Sequence, residues 1–284
     1  GIRPEKAKDL LFPAKGGQTA LSGWQVPDAR RARTRQLADD WNRTADACFD
    51  LGHAPLPAQS EILGALNRTL DDSDVVLNAA GSMPGDLQML WRARDPKAYH
   101  VEYAYSCMGY EIAAGVGVKL AAPEREVVVL VGDGSYLMMA QEIVTLIAER
   151  LKVIIVLVQN HGFASIGSLS ESLGSQRFGT SYRYRAENGL LEGDVLPVDL
   201  AANAASLGAT VLRASTVDEF RAAVKQAKAN PVTTVVHVET DPLAPNPPGS
   251  AWWEVPVSEV SDLDSTSAAY ETYAEEKRNQ RHYL

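Results

Sequence analysis

The sequence predicts an α/β protein: a doubly wound parallel sheet with helices on both faces, preceded by a partial helical and linker segment. Three observations carry this. From residue 74 onward, short β-branched runs alternate with helical patterns. Those runs are apolar at consecutive rather than alternate positions, as in strands covered on both faces. No apolar run approaches the roughly 20 residues needed to span a bilayer, and no internal repeat is visible.

Residues 1–26 read as irregular, because Pro4, Pro13, Gly16, Gly17 and Gly23 punctuate them and no apolar period survives. Residues 28–50 read as a helix capped by Asp28, with Leu37, Trp41, Ala45 and Cys48 at helical spacing. Arg30, Arg31, Arg33 and Arg35 cluster at its start and read as a solvated face or a contact to a missing segment, in preference to an anion site. Residues 52–57 break the chain, and a second helix follows over 58–70. Residues 1–73 precede the domain proper. The domain proper, 74–242, is expected to carry strands at 75–77, 127–131, 153–158, 210–212 and 233–238. Its helices are expected near 109–121, 138–150, 199–207 and 217–229. A tail over 243–284 follows, Pro-rich at first and with a polar helix near 265–281.

Composition narrows the function. With 45% hydrophobic and 22% charged residues, the chain has ample material for a core. A net charge of −9 disfavours nucleic acid and anionic membrane as partners. Two cysteines, Cys48 and Cys107, point to free thiols in a reducing, cytoplasmic setting rather than to a disulfide framework.

The chemistry sits at two strand ends. The run 127–131 ends in Gly132-Asp133-Gly134-Ser135, and the next, 153–158, ends in Gln159-Asn160-His161-Gly162-Phe163. Carboxyl ends of successive parallel strands can be neighbours, and ligands of open α/β sheets bind there. One carboxylate and one amide oxygen suit a hard divalent cation, and Mg²⁺ in particular fills its octahedron with substrate phosphate oxygens and water. Gly134 and Ser135 open a helix whose N–H groups favour phosphate. A metal-bridged diphosphate is the expectation. A dinucleotide fingerprint fits poorly, since Leu137 stands where the third glycine is needed. A purely structural Gly-Asp-Gly turn remains open.

These residues resemble the thiamine diphosphate (ThDP) enzymes. Gly-Asp-Gly followed, after 25 residues, by Asn is similar to their cofactor signature, although Gln159 replaces the first residue of the usual Asn pair. The resemblance implies that Asp133, Asn160 and the Gly162 carbonyl are Mg²⁺ ligands. It also implies that Gly132, Asp133, Gly134 and Ser135 lie along the diphosphate, with Phe163 beside it. The small residues Ala80, Gly81 and Ser82, after the first strand, would approach the diphosphate closely. Met108 would wedge between the two cofactor rings, and the Ser106 carbonyl would receive the cofactor's amino group. The wording of Met83-Pro84-Gly85-Asp86-Leu87, Tyr99-His100-Val101-Glu102-Tyr103, Ser106-Cys107-Met108-Gly109-Tyr110-Glu111 and Asn160-His161-Gly162-Phe163 is similar to the inositol-catabolism branch of the family. Members of that branch open trihydroxycyclohexane-1,2-dione hydrolytically to a deoxy-glucuronate. His100, Glu102 and His161 are candidates for holding substrate hydroxyls, against an alternative in which the two histidines are hydrogen-bonded core or supporting residues and Glu102 is buried against a partner. Gln141 and Glu142 read as packing or interface residues, and Cys107 as inert.

The family needs a glutamate that activates the cofactor's pyrimidine, and it is carried on a separate domain, commonly of a neighbouring subunit. No such glutamate is found here, and too few residues precede position 75 for that domain. The expectation is a C-terminal part of a longer polypeptide, acting in a homodimer or homotetramer. The resemblance thus implies that residues 1–73 are the end of a middle domain plus a linker. Long, Ser-, Gly-, Arg- and Tyr-rich residues 163–190 are expected to form a structureless loop that orders over the cofactor. An acetohydroxyacid-synthase-like enzyme, a 2-oxoacid decarboxylase, or a non-catalytic Mg²⁺–diphosphate module remain alternatives.

Overall fold

A computed structural model describes residues 26–102, 104–248 and 254–280. The irregular stretch before residue 26, Tyr103, part of the Pro-rich tail and Arg281 lie outside the described residues. Two compact units divide between Thr44 and Ala45.

Among the described residues of the first unit, Asp28 to Thr44 belong to α1 (Asp28–Phe49). Arg30, Arg31, Arg33 and Arg35 are all exposed, as a solvated face requires. Trp41 and Leu37 are exposed as well, so their helical spacing does not mark a buried stripe.

The second unit is built on a six-stranded sheet in which every pairing is parallel. Its strands are β1 (Val75–Asn78), β2 (Tyr99–Val101), β3 (Val127–Gly132), β4 (Ile154–Gln159), β5 (Thr210–Ala214) and β6 (Thr234–Glu239). Their order is β2-β1-β3-β4-β6-β5. The helices are α2 (Gln59–Thr69), α3 (Met83–Leu90), α4 (Tyr110–Ala121), α5 (Asp133–Met138), α6 (Glu142–Ala148), α7 (Ala164–Ser172), α8 (Leu200–Ser206), α9 (Val217–Ala229) and α10 (Asp264–Asn279).

Successive residues of a strand point to opposite faces, and both faces here are buried. Val128, Leu130, Val156 and Val236 pack with α2, α3 and α9 through Ile62, Leu66, Leu87 and Phe220. Val129, Val131, Ile155 and Val235 pack with α4, α5, α6 and α8 through Ile112, Tyr136, Leu146 and Leu200. This is the reason the strands read as continuous apolar runs, and the doubly wound class is observed.

Four differences from the sequence reading have physical causes. The edge strand β2 is three residues long and only half-buried, so it carries no apolar run. The segment after β1 turns into α3 directly, with Pro84 in its first turn, where a missing N–H costs nothing. The helix expected over 138–150 is the shorter α6, because α5 ends at Met138 and Met139 takes a non-helical conformation before α6 starts at Glu142. The segment 163–190 is not structureless, since α7 forms its first third, with Ile166 and Leu169 exposed rather than packed.

Candidate functional site

Register brings Gly132 opposite Val158, so the residues leaving β3 and β4 meet at the carboxyl edge of the sheet. Asp133 is 1% exposed. Its Oδ2 accepts the backbone N–H groups of Asn160 and Gly162, both at 3.1 Å, and its Oδ1 accepts that of Gly134 at 3.0 Å. Burial pushes the Asp133 carboxyl up to about 6, against those N–H groups, which hold it down. The side-chain oxygen of Asn160, Oδ1, is buried and has no hydrogen-bond partner. A buried acceptor is normally satisfied, and a bare amide oxygen beside a carboxylate suits a hard cation.

Among the described residues, no cluster of three or more His, Cys, Asp or Glu side chains could hold a metal alone. A cation at this edge would rest on one carboxylate, one amide and backbone oxygen, and would complete its shell from a bound anion. That donor set fits Mg²⁺ with a diphosphate.

Gly162 is fixed by packing. A Cβ there would stand 2.1 Å from the Thr180 carbonyl oxygen. It bridges antiparallel to Ser181, while Phe163 N–H donates to Thr180 at 2.8 Å and Tyr182 N–H to His161 at 2.9 Å. The loop after β4 is thus paired with residues 180–182, far along the chain from the strand tip.

Over the Gly132-Asp133-Gly134-Ser135 turn lie two apolar side chains. A Cβ on Gly134 would come within 2.8 Å of the Phe163 ring and 3.4 Å of Met108 Cε. Only a glycine leaves room beneath that pair. Met108 is half-buried, next to Gly109, whose φ of 92° is left-handed. Ser106, with φ 51°, is also left-handed without being glycine, and its hydroxyl donates to the Ala79 carbonyl at 3.2 Å. Such conformations persist where surroundings impose them.

Gly109 is held by Glu111, 1% exposed at the start of α4. Its carboxylate accepts the Ser135 hydroxyl at 2.8 Å, Gly109 N–H at 3.0 Å and Ala80 N–H at 3.3 Å. Burial raises its pKa, and these donors oppose the rise. One buried carboxylate therefore ties together the loop after β1, the Met108 segment and the β3 turn. Sequence reasoning did not single it out. A lone acid opening an otherwise apolar, Gly-rich helix was the available signal.

The remaining sequence candidates are found in internal roles. Gly81 has φ 87°, and the Ser82 hydroxyl donates to Gln59 at 3.1 Å. His100 Nε2 meets the Tyr110 hydroxyl at 2.8 Å, with the rings stacked. Glu102 accepts the N–H groups of Cys107 at 2.8 Å and Tyr105 at 3.2 Å, bracing the loop. His161 stands between Gln159 at 3.1 Å and Glu239 at 3.2 Å. Gln159 accepts from the buried His237 at 2.7 Å, a use for the departure from the usual Asn. Glu142 accepts the Thr145 hydroxyl, and exposed Gln141 precedes α6. Burial and the Glu102 charge raise the Cys107 thiol, which disfavours a reactive thiolate.

Residues 79–238 match the family model described as thiamine pyrophosphate enzyme, C-terminal TPP binding domain. A 3D-(3,5/4)-trihydroxycyclohexane-1,2-dione hydrolase 2 of Bacillus cereus is 41% identical over 270 residues, covering 92% of this chain and 42% of the relative. The hydrolase named for the same dione in Clostridium perfringens (strain 13 / Type A) is 42% identical over 228 residues, 80% of this chain and 36% of the relative. The chain thus spans less than half the length of these curated relatives. A solved ThDP-dependent 4-hydroxybenzoylformate decarboxylase of Rhodococcus jostii RHA1 superposes with a TM-score of 0.57 at 22% identity, over 67% of this chain and 34% of that one. That likeness is one of fold.

Proposed function

The chain belongs to the thiamine pyrophosphate enzymes, whose C-terminal TPP binding domain it carries, and from that premise we propose that it is the diphosphate- and Mg²⁺-binding part of a hydrolase. The substrate we propose is 3D-trihydroxycyclohexane-1,2-dione, opened to 5-deoxy-glucuronate in inositol catabolism. The dione is the compound in the names of relatives about 40% identical. Residues 74–242 would be the cofactor domain and 1–73 the end of a middle domain with its linker.

When bound, ThDP supplies an electron sink for cleavage of a carbon–carbon bond. Asp133 and Asn160 would hold Mg²⁺ through side-chain oxygens, and Gly162 through its carbonyl. Ala80, Gly81 and Ser82 would approach the diphosphate from one side, and Gly132, Gly134 and Ser135 from the other. Met108 would separate the cofactor rings while the Ser106 carbonyl accepts the amino group, and Phe163 would shield the turn from water. Residues 163–190 would order further over the bound cofactor. The activating glutamate would come from a pyrimidine-binding domain, in a cytoplasmic homodimer or homotetramer. Among the described residues no helix is long and apolar enough to cross a membrane.

One observation carries this reading: Asp133 grips the backbone of Asn160 and Gly162 while the Asn160 side-chain oxygen is buried without a partner. The test is turnover of the dione against pyruvate by the full polypeptide with Mg²⁺ and ThDP. Ring opening of the dione without pyruvate turnover is expected. Pyruvate consumption alone would instead favour a synthase or decarboxylase.

A further inference from the structure

Two buried side-chain atoms beside the Asp133 carboxylate lack hydrogen-bond partners, and they have opposite character. Asn160 Oδ1 can only accept; the Tyr182 hydroxyl can donate. Tyr182 is held from both sides of its backbone: its N–H donates to His161 at 2.9 Å, and its carbonyl accepts Leu196 N–H at 2.9 Å. Its ring meets Phe163 edge-on, 5.7 Å between centroids, and Phe163 is the ring that covers Gly134. Tyr182 thus packs against the ring that covers the β3 turn and lies within electrostatic reach of Asp133. Burial, with the Asp133 charge added, raises the phenol, so it stays protonated at neutral pH. Asp133 meanwhile is satisfied by backbone N–H groups.

A protonated, buried hydroxyl with no partner is unfavourable unless a ligand completes it. A cation bound to a diphosphate presents both complements at once: positive charge to the amide oxygen and anionic oxygen to the hydroxyl. On the cofactor reading above, we propose that Tyr182 is a further binding residue of this site, donating its hydroxyl hydrogen bond to the metal-held diphosphate.

Tyr182→Phe removes one oxygen and keeps the ring against Phe163. Calorimetry on the full polypeptide would compare Mg²⁺ with ThDP and, as a fragment without thiamine, Mg²⁺ with inorganic diphosphate. Thermal unfolding without ligand gives the independent readout. The expected result is about a tenfold loss of affinity for both ligands, the order of one charge-assisted hydrogen bond. The unliganded melting temperature should hold or rise, because an unpaired buried hydroxyl has gone. Unchanged affinity would overturn the proposal. So would a fall in unliganded stability accompanying the lost affinity, since the hydroxyl would then be structural. Failure of the wild type to bind Mg²⁺ and ThDP would refute the cofactor reading itself, a different outcome from a variant that matches a binding wild type.

Discussion

Ser135 and Glu111, 24 positions apart, meet through a hydroxyl that donates to the buried carboxylate at 2.8 Å. The contact locks the β3 turn to the first turn of α4, and the same carboxylate also holds Gly109 and Ala80. Three loops that would surround the cofactor therefore depend on one acid for their relative placement.

Replacing that acid should loosen all three. Glu111→Ala leaves the Ala80 N–H and the Ser135 hydroxyl without their acceptor, while the Gly109 N–H keeps the Ser135 oxygen at 2.8 Å, and is expected to cost about 3 kcal/mol in denaturant unfolding. Glu111→Gln retains one acceptor oxygen and should cost about 1 kcal/mol. If the alanine variant unfolds within error of the wild type, the carboxylate is not the tie described.

Asp133→Asn keeps the side chain's size but removes the charge a cation needs and turns one of its two N–H-accepting oxygens into a donor. Mg²⁺-dependent ThDP binding is expected to weaken by about 100-fold, near 2.7 kcal/mol. Calorimetry with and without Mg²⁺ measures it, and retained affinity would remove Asp133 from the ligand set.

Asp86 lies half-buried in α3 and accepts the Gln59 amide at 2.6 Å. Burial pushes its carboxyl up from 3.8 to about 6, only partly offset by Gln59. The folded state thus holds its proton more tightly than the unfolded chain. The stability it contributes is full below about pH 4 and is lost as pH rises through about 6. Asp86→Asn should therefore be the more stable protein at pH 8, by about 3 kcal/mol, and match the wild type near pH 3.5. A stability difference independent of pH would contradict this assignment.

Gly162→Ala would drive a methyl into the Thr180 carbonyl, 2.1 Å from the Cβ position. Parting residues 161–163 from 180–182 should cost about 2–3 kcal/mol and expose 173–190 to limited proteolysis. In the wild type, Mg²⁺ with ThDP should slow cleavage of that segment. Equal cleavage with and without the cofactor would argue against closure over it.

Much of this was legible in the chain. Continuous β-branched runs specify strands buried on both faces, because a parallel sheet clothed by helices leaves no wet side, and the double layer around β3 and β4 follows. The glycine turn and Asn160 announced the carboxyl edge, because hard-cation chemistry demands oxygen donors at strand ends that topology brings together. Three residues of β2 and the exposed apolar face of α7 left no periodic signal to read. Periodicity reports burial, and neither element is fully buried. What only the tertiary structure decided is which polar groups meet: Glu111 with Ala80, Gly109 and Ser135, and the 161–163 segment with 180–182. Hydrogen bonds act over about 3 Å, and only the folded chain sets which side chains come that close.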